Sequence, residues 1–200
     1  MHTADATDES LMRAWQQGDA AAFEEIYRRH RGPVYRFVRR QCGGSASADD
    51  VFQEVWMTFI RQRNSWEPRA ALRTFLYRIA HSRTVDQLRV QSRERGAIAL
   101  SLDEEDAPEP VDACRCGEPE DVAAQRSDAR ALERCLAELP AAQREAFLLK
   151  EEAGMGLPEM SETLAVDAEA LKSRVRYAIR RLRECLTRVL GESALAEIVS

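Results

Sequence analysis

Residues 156–183 read GLPEMSETLAVDAEALKSRVRYAIRRLR. Leu157, Met160 and Leu164 give a short helix one apolar face. Ala165-Val166-Asp167 supplies a turn, and the Asp167 carboxylate is placed to accept from the free backbone N–H groups of the helix that follows. Leu171, Val175, Ala178 and Leu182 then recur at helical spacing, so one side of the second helix packs inward. Lys172, Ser173, Arg176 and Arg180 fall on the other side. A basic amphipathic helix by itself is compatible with a plain solvated surface. The short helix and capped turn ahead of it favour a helix-turn-helix whose second helix fits a DNA major groove.

Working outward, the chain has 200 residues, of which 44% are hydrophobic, enough for a core, and 32% charged. Alternating β-branched runs are absent, so an all-α protein is expected. No apolar run approaches the roughly 18 residues that cross a bilayer. The stretch MHTADATDES at the N-terminus is polar and acidic, which does not fit a signal peptide and predicts a cytoplasmic protein.

The net charge of −5 conceals a strong asymmetry. Residues 101–121 carry nine acidic side chains against one Arg, while residues 10–100 carry sixteen Arg against nine acids. Residues 126–190 are nearly balanced, with twelve basic and eleven acidic side chains. A basic and a near-neutral module flanking an acidic strap suggest a polyanionic partner. Arg outnumbers Lys 27 to 2, which suits bidentate contacts to phosphate and guanine but also follows from a GC-rich genome.

Five cysteines, Cys42, Cys114, Cys116, Cys135 and Cys185, are an odd number in a chain without an export signal, and reduced thiols are expected. Cys114 and Cys116 in the acidic strap are spaced closely enough for a soft metal or a redox pair, but no strong zinc pattern is present and no metal site is assigned. The three His residues show no metal spacing, no Gly-rich phosphate loop occurs, and no Ser/His/Asp set can be placed. No enzyme activity, cofactor or small-molecule substrate is therefore expected.

Three segments emerge. The first module spans residues 8–96, the acidic linker 97–125 and the second module 126–190. In the first, Leu11, Met12 and Trp15 start a helix that Gly18-Asp19 ends. Phe23, Ile26, Tyr27 and His30 resume the helical period, and Gly32-Pro33 marks a break or restart before Val34, Tyr35 and Val38. Val51, Phe52, Val55, Trp56, Phe59 and Ile60 form a broad apolar face on the next helix. After the loop Asn64 to Pro68, a long helix begins with Leu72, Phe75, Leu76, Ile79 and Ala80 inward, then gains Arg83, Arg89, Arg93 and Arg95. A helix that starts in a core and ends as a basic spine suits lying along phosphates. In the second module, Ala129, Leu132, Leu136 and Leu139 mark one helix and Pro140 opens another ahead of the helix-turn-helix.

This arrangement resembles the extracytoplasmic-function (group IV) sigma factors of bacterial RNA polymerase, within the sigma-70 family. The matching stretches are Gly18-Asp19 with Ala22-Phe23, ADDVFQEVW (48–56), TFLYRIAHSRTVDQLR (74–89), LAELP (136–140), GLPEMSETL (156–164) and LKSR (171–174). The resemblance implies that Asp49, Asp50, Gln53 and Glu54 dock on the clamp helices of core polymerase. It implies that Asn64, Arg78, His81, Ser82, Arg83, Asp86 and Arg89 melt and read the "−10" promoter element. It implies that Lys172, Ser173, Arg174, Arg176, Tyr177 and Arg180 read the "−35" element. Core RNA polymerase, promoter DNA and an anti-sigma factor are the partners it implies, without membrane insertion. Phe75 stands where the family often has Trp, Ser82 where it has Asn, Ala165 for Gly, Ala170 for Thr and Tyr177 for Arg. Tyr77 suits the core better than a contact to DNA.

Two promoter elements about 25 base pairs apart lie about 85 Å apart along the duplex. A linker spanning 97–125 reaches roughly 95 Å fully extended, but only about 30 Å on average as a coil. It must be held extended if both elements are read together. The competing reading is a stand-alone helix-turn-helix regulator binding palindromic half-sites as a dimer. A strand-exchange enzyme would need a nucleophilic Ser or Tyr among acidic metal ligands, and no such cluster is visible.

Overall fold

The computed structural model describes residues 6–43, 47–68, 71–94 and 120–191, and all of its elements are helical. The expectations placed on Arg95 and on the Cys114–Cys116 pair lie outside the described residues.

The first unit comprises α1 (Asp8–Gln16), α2 (Ala20–Gln41), α3 (Ser47–Arg61), a 3-10 turn (Arg63–Ser65) and α4 (Leu72–Glu94). Thr7 caps α1 by accepting from the Ser10 N–H at 3.2 Å, and Asp19 caps α2 by accepting from Ala21 at 2.9 Å. Gly18 between them sits at φ +102°, a conformation that only glycine adopts without strain. Leu11, Met12 and Trp15 of α1 are buried, with Trp15 5.0 Å from both Phe23 and Phe59. Such offset aromatic contacts tie α1, α2 and α3 around one centre.

Two expectations are corrected here. Gly32-Pro33 does not break the chain: α2 runs through Pro33 to Gln41. Pro33 withholds one N–H and costs about 3 kcal/mol in a helix interior. The buried row Ile26, Val34, Phe37 and Val38 spans the position and outweighs that loss. Ile60 does not join the core face of α3; Val51, Val55, Trp56 and Phe59 do, while Ile60 is 40% exposed.

On α4, Leu72, Phe75, Leu76, Ile79 and Ala80 are all buried, as their spacing predicts. Tyr77 is buried too, its ring 5.2 Å from Phe37, and burial pushes its hydroxyl up to about 12. It is a core residue.

The second unit holds α5 (Glu120–Ala137), α6 (Ala141–Glu151), α7 (Leu157–Leu164) and α8 (Ala168–Leu190). The helix α5 takes in the end of the stretch read as linker. Glu159 accepts from the Gly156 N–H at 2.8 Å and fixes the entry to α7. Ala165 then turns the chain at φ +54°, in the left-handed region, and Asp167 caps α8 by accepting from Ala170 at 2.9 Å. Cys135 of α5 and Cys185 of α8 form a disulfide, with Cα atoms 5.7 Å apart. This overturns the expectation of reduced thiols at both positions. The two helices pack side by side, which brings together cysteines 50 residues apart in sequence. Cys42 stays free and buried, and burial pushes its thiol up to about 11.

The two units are not separate spheres. Their buried residues form one contiguous cluster, with α4 against α7 and α2 against α5 and α6. The seam between them is polar at its edges. Arg144, only 7% exposed, donates from Nε to Gln41 Oε1 at 3.0 Å and from Nη2 to the Gln41 carbonyl at 2.9 Å. Arg73 donates to the Ala153 carbonyl at 3.0 Å and to both oxygens of Glu159 at 2.7 and 2.9 Å. Arg39 pairs with Glu133, Arg40 with Glu152, and His81 with Glu145. A buried guanidinium holds its place only if its N–H groups find acceptors, and Gln41 supplies them.

Candidate nucleic-acid interface

The residues singled out by sequence fall on three surfaces. The first is the outward side of α3. With Val51, Val55, Trp56 and Phe59 turned inward, helical spacing leaves Asp50, Gln53 and Glu54 exposed on the opposite side. Glu54 lies 3.5 Å from Arg61, about two helical turns along the same face. Asp49 is exposed beside them but accepts a hydrogen bond from the Tyr35 hydroxyl, which raises that phenol's pKa. Met57, 51% exposed, and Ile60 lie among these polar groups. Sequence reading missed both as surface residues. Ile60 was absorbed into an apolar row whose last member points out, and no periodic signal singled out Met57.

The second surface is where α3 meets α4. Thr58, Gln62, Arg78, Ile79, Ser82 and Arg83 line a half-open cleft with a volume of about 220 Å³. Arg78 lies over the Phe75 ring at 5.4 Å, so its guanidinium is oriented by a cation–π contact. Arg83 and Arg89 flank Asp86 at 3.7 and 3.9 Å, extending a charged track along α4. Asn64 is exposed in the 3-10 turn. Three of the expected residues, Arg78, Ser82 and Arg83, are brought together in the cleft; Thr58 and Gln62 were not foreseen. They belong to the helix read for its apolar face and carried no charge to mark them.

His81 departs from the rest of that set. Its ring faces Glu145 of α6, with Nδ1 2.5 Å from Oε1. Burial alone would lower the imidazole pKa, but the hydrogen bond and charge of Glu145 outweigh it and raise the net value. In this arrangement His81 is engaged by the second unit.

The third surface is the outward side of α8. Leu171, Ala178, Leu182 and Cys185 are buried, and Lys172, Arg176, Tyr177 and Arg180 are exposed opposite them. Ser173 and Arg174 are half-buried. Lys172 pairs with Glu169 at 2.6 Å. Arg176 and Arg180 both lie over the Tyr177 ring, at 5.3 and 5.1 Å. A short helix, a tight turn and a capped second helix with a basic outer face form a helix-turn-helix.

Residues 26–94 match the sigma-70 region 2 family, and residues 129–182 match sigma-70 region 4. The chain is 30% identical over 181 residues to the ECF RNA polymerase sigma factor SigK of Mycobacterium sp. (strain KMS), covering 88% of this chain and 89% of that protein. The chain belongs to the ECF sigma factors. A second relative, SigK of Mycobacterium tuberculosis (strain ATCC 25618 / H37Rv), is 28% identical over 180 residues, covering 89% of this chain and 92% of that protein. Two solved structures share the fold of this ECF sigma factor at 21% identity and a TM-score of 0.65. One is the sigma factor RpoE in complex with the anti-sigma factor NepR from Bartonella quintana, covering 82% of this chain and 96% of that one. The other is CnrH in complex with the cytosolic domain of CnrY, covering 92% and 99%. Among the described residues no helix is long and apolar enough to cross a membrane, and no group of His, Cys, Asp and Glu is arranged to hold a metal ion.

Proposed function

We propose that this ECF sigma factor directs core RNA polymerase to its promoters through the three surfaces just described. The basic outer face of α8, held opposite a buried apolar row, carries the reading. Lys172, Ser173, Arg174, Arg176, Tyr177 and Arg180 contact the upstream element, with the arginines and Tyr177 at base edges and Lys172 at phosphate. The cleft between α3 and α4 receives an unstacked base of the downstream element, and Arg83 and Arg89 follow the strand backbone. Asp49, Asp50, Gln53 and Glu54 dock on the polymerase, and the exposed Met57 adds apolar area to that contact.

No residue of the chain is assigned a catalytic role. Its work is binding and strand separation in the cytoplasm, and phosphodiester chemistry belongs to the polymerase. The boundaries proposed are 8–96 for the polymerase and "−10" module, 97–125 for the acidic linker and 126–190 for the "−35" module. An anti-sigma factor is the controlling partner, a reading supported by the NepR complex of the structural neighbour.

Two surfaces in one compact body cannot meet promoter elements about 85 Å apart. The seam held by Arg144, Arg73 and His81 therefore opens when the protein joins core polymerase. Run-off transcription with purified core polymerase on the gene's own upstream region tests the assignment. Specific transcripts that depend on this chain are expected. Absence of transcripts together with failure to co-elute with core polymerase would contradict it.

A further inference from the structure

Tyr177 is the one aromatic residue of α8, and it stands on the side of the helix that makes no core. Ser173, Arg176 and Arg180 share that side by helical spacing, which places Tyr177 near the middle of the outward face. The residue is 39% exposed. What covers the remainder includes charge: the guanidinium groups of Arg176 and Arg180 both lie over the ring. Arg180 is further positioned by Glu184 at 3.9 Å. The two cation–π contacts favour one orientation of the ring before any partner arrives.

A guanidinium reads guanine with a fork of donors, which a phenol cannot reproduce. A phenol ring offers apolar edge and face. In the major groove the matching chemistry is the C5-methyl group of thymine, the apolar feature on a base edge there. Cytosine at the same position presents an amino donor and no methyl. We propose that Tyr177 sets base preference in the upstream element by packing its ring on the 5-methyl group of one thymine. This rests on the reading of α8 as the element's reader and adds the identity of a base contact.

The test uses the full chain bound to core polymerase. Preferred upstream elements are selected from duplexes randomised across that element. Each thymine of the winner is then replaced singly by deoxyuridine, which removes the methyl group and leaves the base's hydrogen bonds intact. At one position wild-type holoenzyme should lose about fourfold in affinity, the worth of one buried methyl-sized group. Tyr177→Phe should keep that loss, because the ring and not the hydroxyl makes the contact. Tyr177→Ala should bind thymine and uracil duplexes equally at that position, and 5-methylcytosine should recover part of the wild-type preference lost with cytosine.

Equal binding of thymine and uracil by wild type at every position overturns the proposal. So does an unchanged thymine-to-uracil ratio in Tyr177→Ala. A Lys172→Ala/Arg174→Ala variant, neither residue touching the ring, separates the two levels. If it weakens all duplexes while Tyr177→Ala leaves the ratio untouched, α8 is the reader and the thymine contact is wrong. If both variants bind as wild type, the reading of α8 falls with it. Circular dichroism on each variant establishes that α8 is intact.

Discussion

Arg73 and His81 on α4 end on carboxylates of the second unit, whereas Arg176, Tyr177 and Arg180 on α8 face outward. Both helices offer basic residues on an apolar backing, yet in this arrangement one surface is partly engaged and the other is open. The difference lies in what each helix packs against. The α4 helix lies along α7 and close to α6, so its flank supplies half of the seam between the units. The α8 helix packs through its inner row on α5, α6 and α7, leaving its outer row uncovered. On the function proposed above, the outer face of α8 would be ready for DNA in the closed body, while the α4 surface would be freed in full only when the seam parts.

Substitutions on either side of the seam should separate the two surfaces. The largest effect is expected inside the second unit. A disulfide closing a loop of 50 residues restricts the unfolded chain by about 4 kcal/mol on the chain-entropy account. Cys135→Ser/Cys185→Ser should lower the unfolding free energy by an amount of that order, measured by urea titration. The position of α8 would then depend in part on the covalent tie to α5.

At the seam, Arg144→Met keeps much of the side-chain volume but removes both bonds to Gln41. Two charge-assisted hydrogen bonds at a buried site are worth about 3 kcal/mol together. The unfolding free energy should fall accordingly, and small-angle scattering should record a larger radius of gyration as the units part. An unchanged radius would place the closing force in the apolar contacts instead.

A pH-dependent contribution should come from His81. Its pKa in the folded protein is raised by Glu145, against the opposing influences of burial and Arg89. The stability it contributes is fully present below the ordinary imidazole value of 6.5 and is lost as pH rises through the raised folded value. Wild type should therefore exceed His81→Gln in thermal stability at acidic pH, with the gap closing on the alkaline side. The smallest effect is expected at Ala165. An L-residue in the left-handed conformation costs roughly 1–2 kcal/mol, so Ala165→Gly should stabilise the turn by about 1 kcal/mol. That gain should appear in the melting temperature without altering the seam.

Much of this was legible in the residue pattern. The inward rows of α4 and α8 follow from spacing alone, because burial demands one apolar face per helix. The Asp167 cap was readable for the same local reason. Pro33 misled because its cost is local while the buried row that offsets it is tertiary. The seam was invisible: Gln41 and Arg144 lie far apart in sequence, and neither carries a motif. The Cys135–Cys185 pair escaped likewise, since only the packing of α5 on α8 makes the two neighbours. The roles of the site residues came from the family resemblance, and the structure adds the cleft, the exposed Met57 and the oriented Tyr177.

On the function proposed, the closed body opens to reach two promoter elements. The most direct measurement is the distance between spin labels at Arg13 on α1 and Arg183 on α8, both exposed, in the free protein and in the promoter complex with core polymerase. One narrow distance distribution in the free protein, shifting to longer distances by tens of ångströms in the promoter complex, is the predicted result. The same distance in both states would mean that the body stays closed on the promoter.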